Sequence, residues 1–174
     1  MLDIAQNSIR AEASLITIGV IEDRKEQTME IFIEDNGCGM TKEQAEQVMD
    51  PFFTTRTTRK VGLGVPLFKM SAEATGGNFS ISSQPGKGTK TTAFYHTGHI
   101  DMMPLGDMDS TLISLISVNP DIDFCYIRSI DSRSFTLDTR EIKEVLGKDV
   151  PINAPEILVY LKDLLRENTE EIGG

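Results

Sequence analysis

Two kinds of hydrophobic and polar pattern follow one another along residues 1–96. Segments rich in β-branched residues, with apolar and polar side chains alternating, predict strands at residues 15–21, 28–34, 79–83 and 89–95. Apolar positions three or four apart predict helices at residues 3–13, from Thr41 to before Pro51, and around Pro66 with Gly76-Gly77 past its end. Because short turns join most strands, we expect an α+β fold: a two-layer α/β sandwich with a mixed, largely antiparallel sheet and helices on one face.

A second unit is predicted beyond residue 96. Residues 97–106 contain two glycines and one proline, a composition typical of a linker. The pattern then predicts a helix, a β-hairpin and two more helices, at residues 107–118, 123–130 with 134–137, 139–146 and 154–170. We therefore expect a domain of residues 1–96, a linker of residues 97–106 and a small acidic α+β extension of residues 107–174.

The charge of the chain is negative and unevenly distributed. Its 174 residues include 17 basic and 27 acidic side chains, a net charge of −10; residues 1–99 hold 10 and 12 of these, and residues 100–174 hold 7 and 15. Nucleic-acid-binding proteins normally present a basic face, so we expect no nucleic-acid partner. No apolar stretch approaches the ~20 residues of a membrane span, and the first residues lack a signal-peptide pattern. We expect a cytoplasmic protein without a membrane partner.

Several common metal and nucleotide motifs are missing from the sequence. Cys38 and Cys125 form no C-x-x-C pair, which argues against a structural zinc site and indicates reduced thiols. No G-x-x-x-x-G-K-[ST] sequence is present. No G-x-G-x-x-G follows a strand with an acidic residue ~20 positions further on. P-loop and dinucleotide-binding folds are therefore disfavoured.

Asp3 and Asn7 are the first candidate site residues. Their i, i+4 spacing places a carboxylate and a carboxamide on one face of the first predicted helix. A carboxamide oxygen is a suitable ligand for magnesium. A carboxylate one turn away is suited to orienting or deprotonating a water molecule.

Three glycine-containing turns follow at the ends of predicted elements. In Asp35-x-Gly37-x-Gly39, directly after a strand, the carboxylate suits an exocyclic amine and the glycines let the backbone approach a ring closely. Gly62-Leu63-Gly64 leads into a helix whose free amide groups and dipole favour a phosphate. Arginine and lysine side chains stand just upstream of this turn, and the third turn is the hairpin 86–89, which ends at Thr89.

These four features, in this order, resemble the GHKL ATP-binding superfamily of gyrase, heat-shock chaperone ATPases, histidine kinases and MutL. Residues 3–7 resemble its N box, and the three glycine turns resemble its three glycine boxes. The run Asp50-Pro51-Phe52-Phe53 is similar to the F box of histidine kinases, so the kinase branch is the nearest. The resemblance covers roughly residues 2–95 and implies the Bergerat ATP-binding fold.

The resemblance also implies roles for individual residues. Asn7 would hold magnesium that bridges the ATP phosphates, Asp35 would receive the adenine amino group, and Thr89 would support the adenine through its hydroxyl. Asp3 would be the candidate general base. Residues 54–60 would form a lid over ATP, and Leu63 and Gly64 would offer amides to the phosphates. The remaining candidate ATP-binding residues are Gly37, Gly39, Met40, Phe52, Thr54, Arg56, Arg59, Lys60, Gly62 and Val65.

Three departures from the family pattern leave the reaction open. No histidine followed by an acidic residue stands on a dimerisation helix, and Asp3 occupies a position where the hydrolytic branches carry glutamate. The chain also begins inside the N-box helix, so we expect its true start upstream. The sequence favours Mg-dependent phosphotransfer to a protein partner or slow ATP hydrolysis. The alternatives are an anti-sigma-like serine/threonine kinase and a non-catalytic ATP-responsive module, and a homodimer is left open.

Overall fold

A computed structural model describes residues 1–50 and 63–173 of the chain. Six of the predicted site residues lie outside this part: Phe52, Thr54, Arg56, Arg59, Lys60 and Gly62. The helices described are α1 (Leu2–Arg10), α2 (Lys42–Val48), α3 (Gly64–Ala74), α4 (Met108–Val118), α5 (Thr139–Leu146) and α6 (Pro155–Gly173). The strands are β1 (Leu15–Asp23), β2 (Thr28–Asp35), β3 (Asn78–Gln84), β4 (Gly88–His96), β5 (Asp123–Ile130) and β6 (Arg133–Asp138).

The six strands form one mixed sheet in the order β3-β4-β2-β1-β5-β6. Neighbouring strands are antiparallel except β1 and β5, which pair in parallel. The predicted α+β sandwich with a mixed, largely antiparallel sheet is therefore confirmed.

One face of this sheet is buried and the other stays partly open. On β1 the side chains of Ile16, Ile18 and Val20 are fully buried, and Ile18 stands opposite Ile33 of β2 in the register. Burying each side chain of this size contributes about 1.5–3 kcal/mol. The alternate positions form the open face, where Lys90 lies over the Phe32 ring at 4.6 Å from its centroid.

The segment after residue 107 completes the core of the sheet. Residues 97–107 contain no helix or strand. Beyond them, β5 pairs along its whole length with β1, with Ile16 opposite Phe124 and Ile18 opposite Tyr126. Leu112 of α4 and Leu161 of α6 are fully buried in the same hydrophobic core as these strands. A partly buried ion pair also joins β1 and β5, with Arg128 Nη2 of β5 2.6 Å from Glu22 Oε2 of β1.

Local signals account for most element boundaries. At the start of α2 the predicted capping box is present: Gln44 N–H donates to Thr41 Oγ1 at 3.3 Å, and Thr41 N–H donates to Gln44 Oε1 at 2.9 Å. Helix α1 ends at Arg10, earlier than predicted, because Glu12 adopts a φ of 58° that no helix continues. Among the helices described, none combines the length and the apolar character that a membrane crossing requires.

Candidate functional site

A cavity of about 480 Å³ opens between α1, α2, the start of α3 and the ends of β2 and β4. Its volume falls in the range of small-molecule sites in proteins. Six of the residues singled out in the sequence contribute to its walls: Asn7, Asp35, Gly39, Met40, Val65 and Thr89. The tertiary fold therefore brings the first, second and fourth motifs together at one place.

The carboxylate of Asp35 is held in a fixed orientation within this cavity. Asp35 ends β2 and is only 9% exposed. Its Oδ2 accepts a hydrogen bond from Ser8 Oγ at 2.6 Å, and its Oδ1 accepts one from Gly37 N–H at 3.0 Å. A carboxylate oxygen can accept more than one hydrogen bond, so acceptor positions remain for a ligand. The arrangement suits a ligand that presents an N–H donor.

Thr89 stands opposite Asp35 in the β2–β4 register and belongs to a second hydrogen-bonded group. Its Oγ1 lies 2.8 Å from Ser83 Oγ. Ser83 Oγ also accepts a hydrogen bond from Met40 N–H at 2.8 Å. The loop that follows β2 is thereby tied to the start of β4, which fixes the distance between the two sides of the cavity.

The glycine turns allow these backbone segments to approach closely. Gly39 and Gly88 have φ values of 66° and 112°, in the region that favours glycine. A Cβ on Gly39 would overlap the carbonyl oxygen of Gln84, and one on Gly88 would overlap that of Asp35. Gly37 is packed against α1, where a Cβ would lie 2.6 Å from the Ala11 carbonyl oxygen. The three glycines are therefore needed for close packing around the cavity.

Asn7 projects from α1 into the cavity beside a cationic residue that the sequence analysis missed. Arg10 also lines the cavity, and its Nη1 donates to Asn7 Oδ1 at 3.2 Å. The available signal was spacing, since residues three apart on a helix share a face. A guanidinium at this position favours an anionic group in the cavity.

Asp3 and the start of α3 lie next to each other beside the cavity. A Cβ placed on Gly64 would lie 2.6 Å from the Asp3 Cβ, so glycine is required for this approach. Leu63 precedes α3 as its N-terminal cap residue and is exposed. Asp3 is exposed and lies outside the cavity walls. The first amides of α3 nevertheless stand close to the face of α1 that carries Asp3.

The remaining wall residues were not identified from the sequence. They come mainly from α1, α2, β3 and β4: Ile4, Ser8, Ala11, Gln44, Gln47, Val48, Ile81 and Thr91. Most are apolar or neutral, which suits a flat ring better than a charged group. Local patterns identify α2 and β3 as elements but do not show that they converge on Asp35. Cys38, which is exposed in the loop that follows β2, also lines the cavity.

The donor set bears on magnesium binding. Within residues 1–50 and 63–173, no three or more His, Cys, Asp or Glu side chains are grouped to hold a metal ion. Magnesium often binds through one or two protein ligands together with substrate phosphates and waters. The Asn7 carboxamide oxygen at the cavity fits this second mode, in which the ion arrives with a phosphate ligand.

The chain has a mixed sheet covered by helices on one face, and a cavity lies between the N-terminal helix and an aspartate at a strand end. These features define an ATP-binding domain of the Bergerat fold. Residues 1–98 match the family of histidine kinase-, DNA gyrase B- and HSP90-like ATPases, and the chain belongs to this family. The resemblance based on the four motifs is thereby confirmed.

Curated relatives include sensor proteins and kinases of several bacteria. The sensor protein DegM of Bacillus sp. (strain B21-2) is 32% identical over 90 residues, which cover 52% of this chain and 24% of DegM. The sensor kinase CckA of Brucella abortus (strain 2308) is 27% identical over 161 residues, covering 78% of this chain and 17% of CckA. The signal transduction histidine-protein kinase AtoS of Escherichia coli (strain K12) is 40% identical over 62 residues, covering 36% and 10%. The chain thus spans less than a quarter of each of these relatives.

Proposed function

We propose that this chain binds Mg-ATP in the cavity beside Asp35 and transfers the γ-phosphoryl group to a protein partner, or slowly to water. The observation that carries the proposal is the Asp35 carboxylate, buried and held by two donors in a cavity that also presents Arg10. A fixed acceptor suits the adenine amino group, and a guanidinium suits a phosphate. Membership of the ATPase family supports the same ligand.

The proposed binding mode uses both the apolar walls of the cavity and its cationic side chain. Adenine contacts Asp35 and Thr89, with apolar walls such as Ile81 on its faces. The phosphates contact Arg10 and the first amides of α3, whose dipole favours negative charge. Magnesium, held by Asn7 together with the phosphates, would neutralise negative charge that develops during transfer. The predicted lid, residues 54–60, lies outside the described residues, and a phosphate contact from Arg56, Arg59 or Lys60 stays a prediction.

Asp3 remains the candidate general base. It lies one turn before Asn7 on α1 and beside Gly64. In the proposed step an attacking hydroxyl or water gives its proton to Asp3 as its oxygen bonds to the γ-phosphorus. The bond from the γ-phosphorus to the bridging oxygen breaks, and ADP leaves.

Two alternatives to this reaction are a serine/threonine kinase and a nucleotide switch that transfers no phosphoryl group. The histidines of the chain, His96 and His99, both follow the main body of β4, and His96 packs edge-on against Phe94 at 5.5 Å between ring centroids. Neither histidine stands on a helix that resembles a phosphoacceptor segment, so neither is the proposed acceptor. A serine kinase would then produce an acid-stable phosphoprotein, whereas phosphohistidine is acid-labile. A nucleotide switch would bind ATP without turnover and protect the lid from protease.

Incubation with Mg-ATP labelled at the γ-phosphate tests the proposal. Free phosphate and protein-bound label are followed together, without and with cell extract of the source organism as the supply of acceptor, and Asp35→Ala serves as the blank. Signal above the blank is expected, and Asp3→Asn should reduce it if Asp3 is the base. Saturable binding with no label or phosphate in any arm would contradict phosphoryl transfer and favour the switch.

Asn7→Ala should abolish the magnesium-dependent part of ATP binding. The carboxamide oxygen is the proposed protein ligand of the ion, so the variant is expected to bind ATP equally with magnesium or with EDTA. Calorimetric titration under both conditions measures this. Gln6→Ala, the neighbouring change on α1, should keep the magnesium effect. Wild-type turnover in Asn7→Ala would contradict the assignment of Asn7.

Mg-ATP should protect Cys38 from alkylation. Cys38 lines the cavity, so bound nucleotide would cover its thiol, whereas Cys125 is half-buried on β5 outside the cavity. Labelling of Cys38 by iodoacetamide is followed by peptide mass spectrometry. We expect the labelling rate to fall at least about fivefold in saturating Mg-ATP, because the reagent reacts with an accessible thiolate. Cys125 is the internal control. Equal labelling of Cys38 with and without nucleotide would place ATP elsewhere.

A further inference from the structure

Ser8 is a buried polar residue in contact with the proposed base-binding aspartate. It directly follows Asn7 on α1 and is only 3% exposed. Its hydroxyl donates to Asp35 Oδ2 at 2.6 Å, across 27 residues of sequence. Hydrogen bonds to a carboxylate are shorter and stronger than those between neutral groups, and this distance is typical of them. Ser8 therefore links the helix that carries Asn7 to the strand end that carries Asp35.

The two oxygens of Asp35 are held from different elements. Gly37 N–H, from the loop that follows β2, holds Oδ1, and Ser8 on α1 holds Oδ2. With one donor on each oxygen, rotation of the carboxylate plane about the Cβ–Cγ bond would break at least one hydrogen bond. Since each oxygen can accept more than one hydrogen bond, both retain acceptor capacity for a ligand.

We propose that Ser8 is a positioning residue that determines base selectivity: it holds the Asp35 carboxylate in the orientation that accepts the 6-amino group of adenine. This inference rests on the proposed function of the cavity and extends it to the choice of base. A fixed acceptor favours a base with an N–H donor at position 6. It disfavours guanine, whose 6-oxo group is an acceptor that would face the carboxylate without a hydrogen bond.

Ser8→Ala tests this role because it removes one oxygen atom and leaves the carbon framework. The probe ligands are ATP and purine riboside 5′-triphosphate, which lacks only the 6-amino group. If Ser8 acts through Asp35 and the amino group, Ser8→Ala should raise the Kd of ATP about tenfold, as expected for weakening a hydrogen bond to a charged group. The Kd of the analogue should change by less than about twofold. The selectivity, the ratio of the two Kd values, should therefore fall about tenfold.

The ratio separates positioning from stability. Both ligands are measured on the same preparation of a variant, so a loss of folded protein affects both titrations equally and cancels. Ser71→Ala is the matched control, because Ser71 is another helical serine, half-buried, whose hydroxyl is hydrogen-bonded to the Phe68 carbonyl and the Tyr95 hydroxyl, but it lies outside the cavity. It should leave the ratio unchanged. Ser8→Thr keeps the hydroxyl and should keep the selectivity.

Each other outcome overturns a specific statement. Equal weakening of both ligands by Ser8→Ala would make Ser8 a structural residue only. An unchanged Kd for ATP would show that Asp35 needs no support from Ser8. A wild-type chain that binds ATP and the analogue equally would retain the proposed nucleotide site but overturn the inferred base selectivity. A wild-type chain that binds neither would overturn the proposed function itself, and this inference with it.

Discussion

Replacing Asp35 with alanine should raise the Kd for ATP about a hundredfold, the largest effect we expect from a single change in the cavity. The variant loses the acceptor proposed for the adenine amino group. It also leaves the Ser8 hydroxyl and the Gly37 amide without the oxygens that hold them. A hydrogen bond to a charged group contributes about 1.5–3 kcal/mol, which at its upper end is about a hundredfold in Kd. The two buried donors left unpaired cost about 1–3 kcal/mol in folding free energy, because they are unpaired in the free and the bound chain alike. Calorimetric titration with Mg-ATP measures the change.

Glu34→Ala is the matched control for this experiment. Glu34 precedes Asp35 on β2 but faces the open side of the sheet, where it is 53% exposed and 3.3 Å from Lys90 Nζ. Exposed ion pairs contribute little, so the control should bind ATP like the wild type. Thermal unfolding of both variants without nucleotide reports any loss of structure. A folded Asp35→Ala chain with the affinity of the wild type would remove the basis of the proposed binding mode.

A chain shortened to residues 1–98 should lose cooperative unfolding, although these are the residues that match the family. Removing the rest exposes the edge of β1 that pairs with β5 and uncovers Ile16, Ile18 and Val20. It also deletes the fully buried side chains of Leu112, Phe124, Tyr126, Leu161 and Leu165. At about 1.5–3 kcal/mol for each buried side chain, this loss is comparable with the whole stability of a typical domain, about 5–15 kcal/mol.

Thermal unfolding followed by circular dichroism, with and without Mg-ATP, measures this prediction. The matched control is the full-length chain cut once at a protease site placed next to Ile100, which is 94% exposed in the segment between β4 and α4. The cut keeps every strand and helix of residues 1–50 and 63–173, so the two pieces should stay associated and unfold cooperatively. A sharp transition and ATP binding by residues 1–98 alone would show that the extension is an independent unit.

Together, the Asp35→Ala and truncation experiments distinguish the contribution of cavity residues to ATP binding from the contribution of the sheet to folding. The β2 and β4 residues that face ATP in the proposal lie two strands or fewer from β1, whose other edge is covered by β5. Helix α1 supplies Asn7, Ser8 and Arg10 to the cavity from the layer packed on this sheet. A change at the β1–β5 seam should therefore act on nucleotide binding only through folding, whereas a change at Asp35 should act on binding directly.

The sequence by itself determined the features that depend on neighbouring residues. The alternation in residues 28–34 predicted β2, the capping box at Thr41 predicted the start of α2, and residues 139–146 were predicted with the bounds that α5 has. These features follow from side-chain periodicity and local hydrogen bonding, which act within a few residues. The family could also be identified from the sequence, because its motifs are short segments at element ends.

The tertiary structure alone decided which distant segments meet. No local pattern pairs β5 with β1 in parallel, since a strand's periodicity gives its buried face and not its neighbour. The hydrogen bond from Ser8 to Asp35 and the contribution of Ile81 to the cavity likewise depend on elements far apart in sequence. Such convergence is set by how helices pack on a completed sheet, because a contact between distant residues exists only once the layers between them have formed.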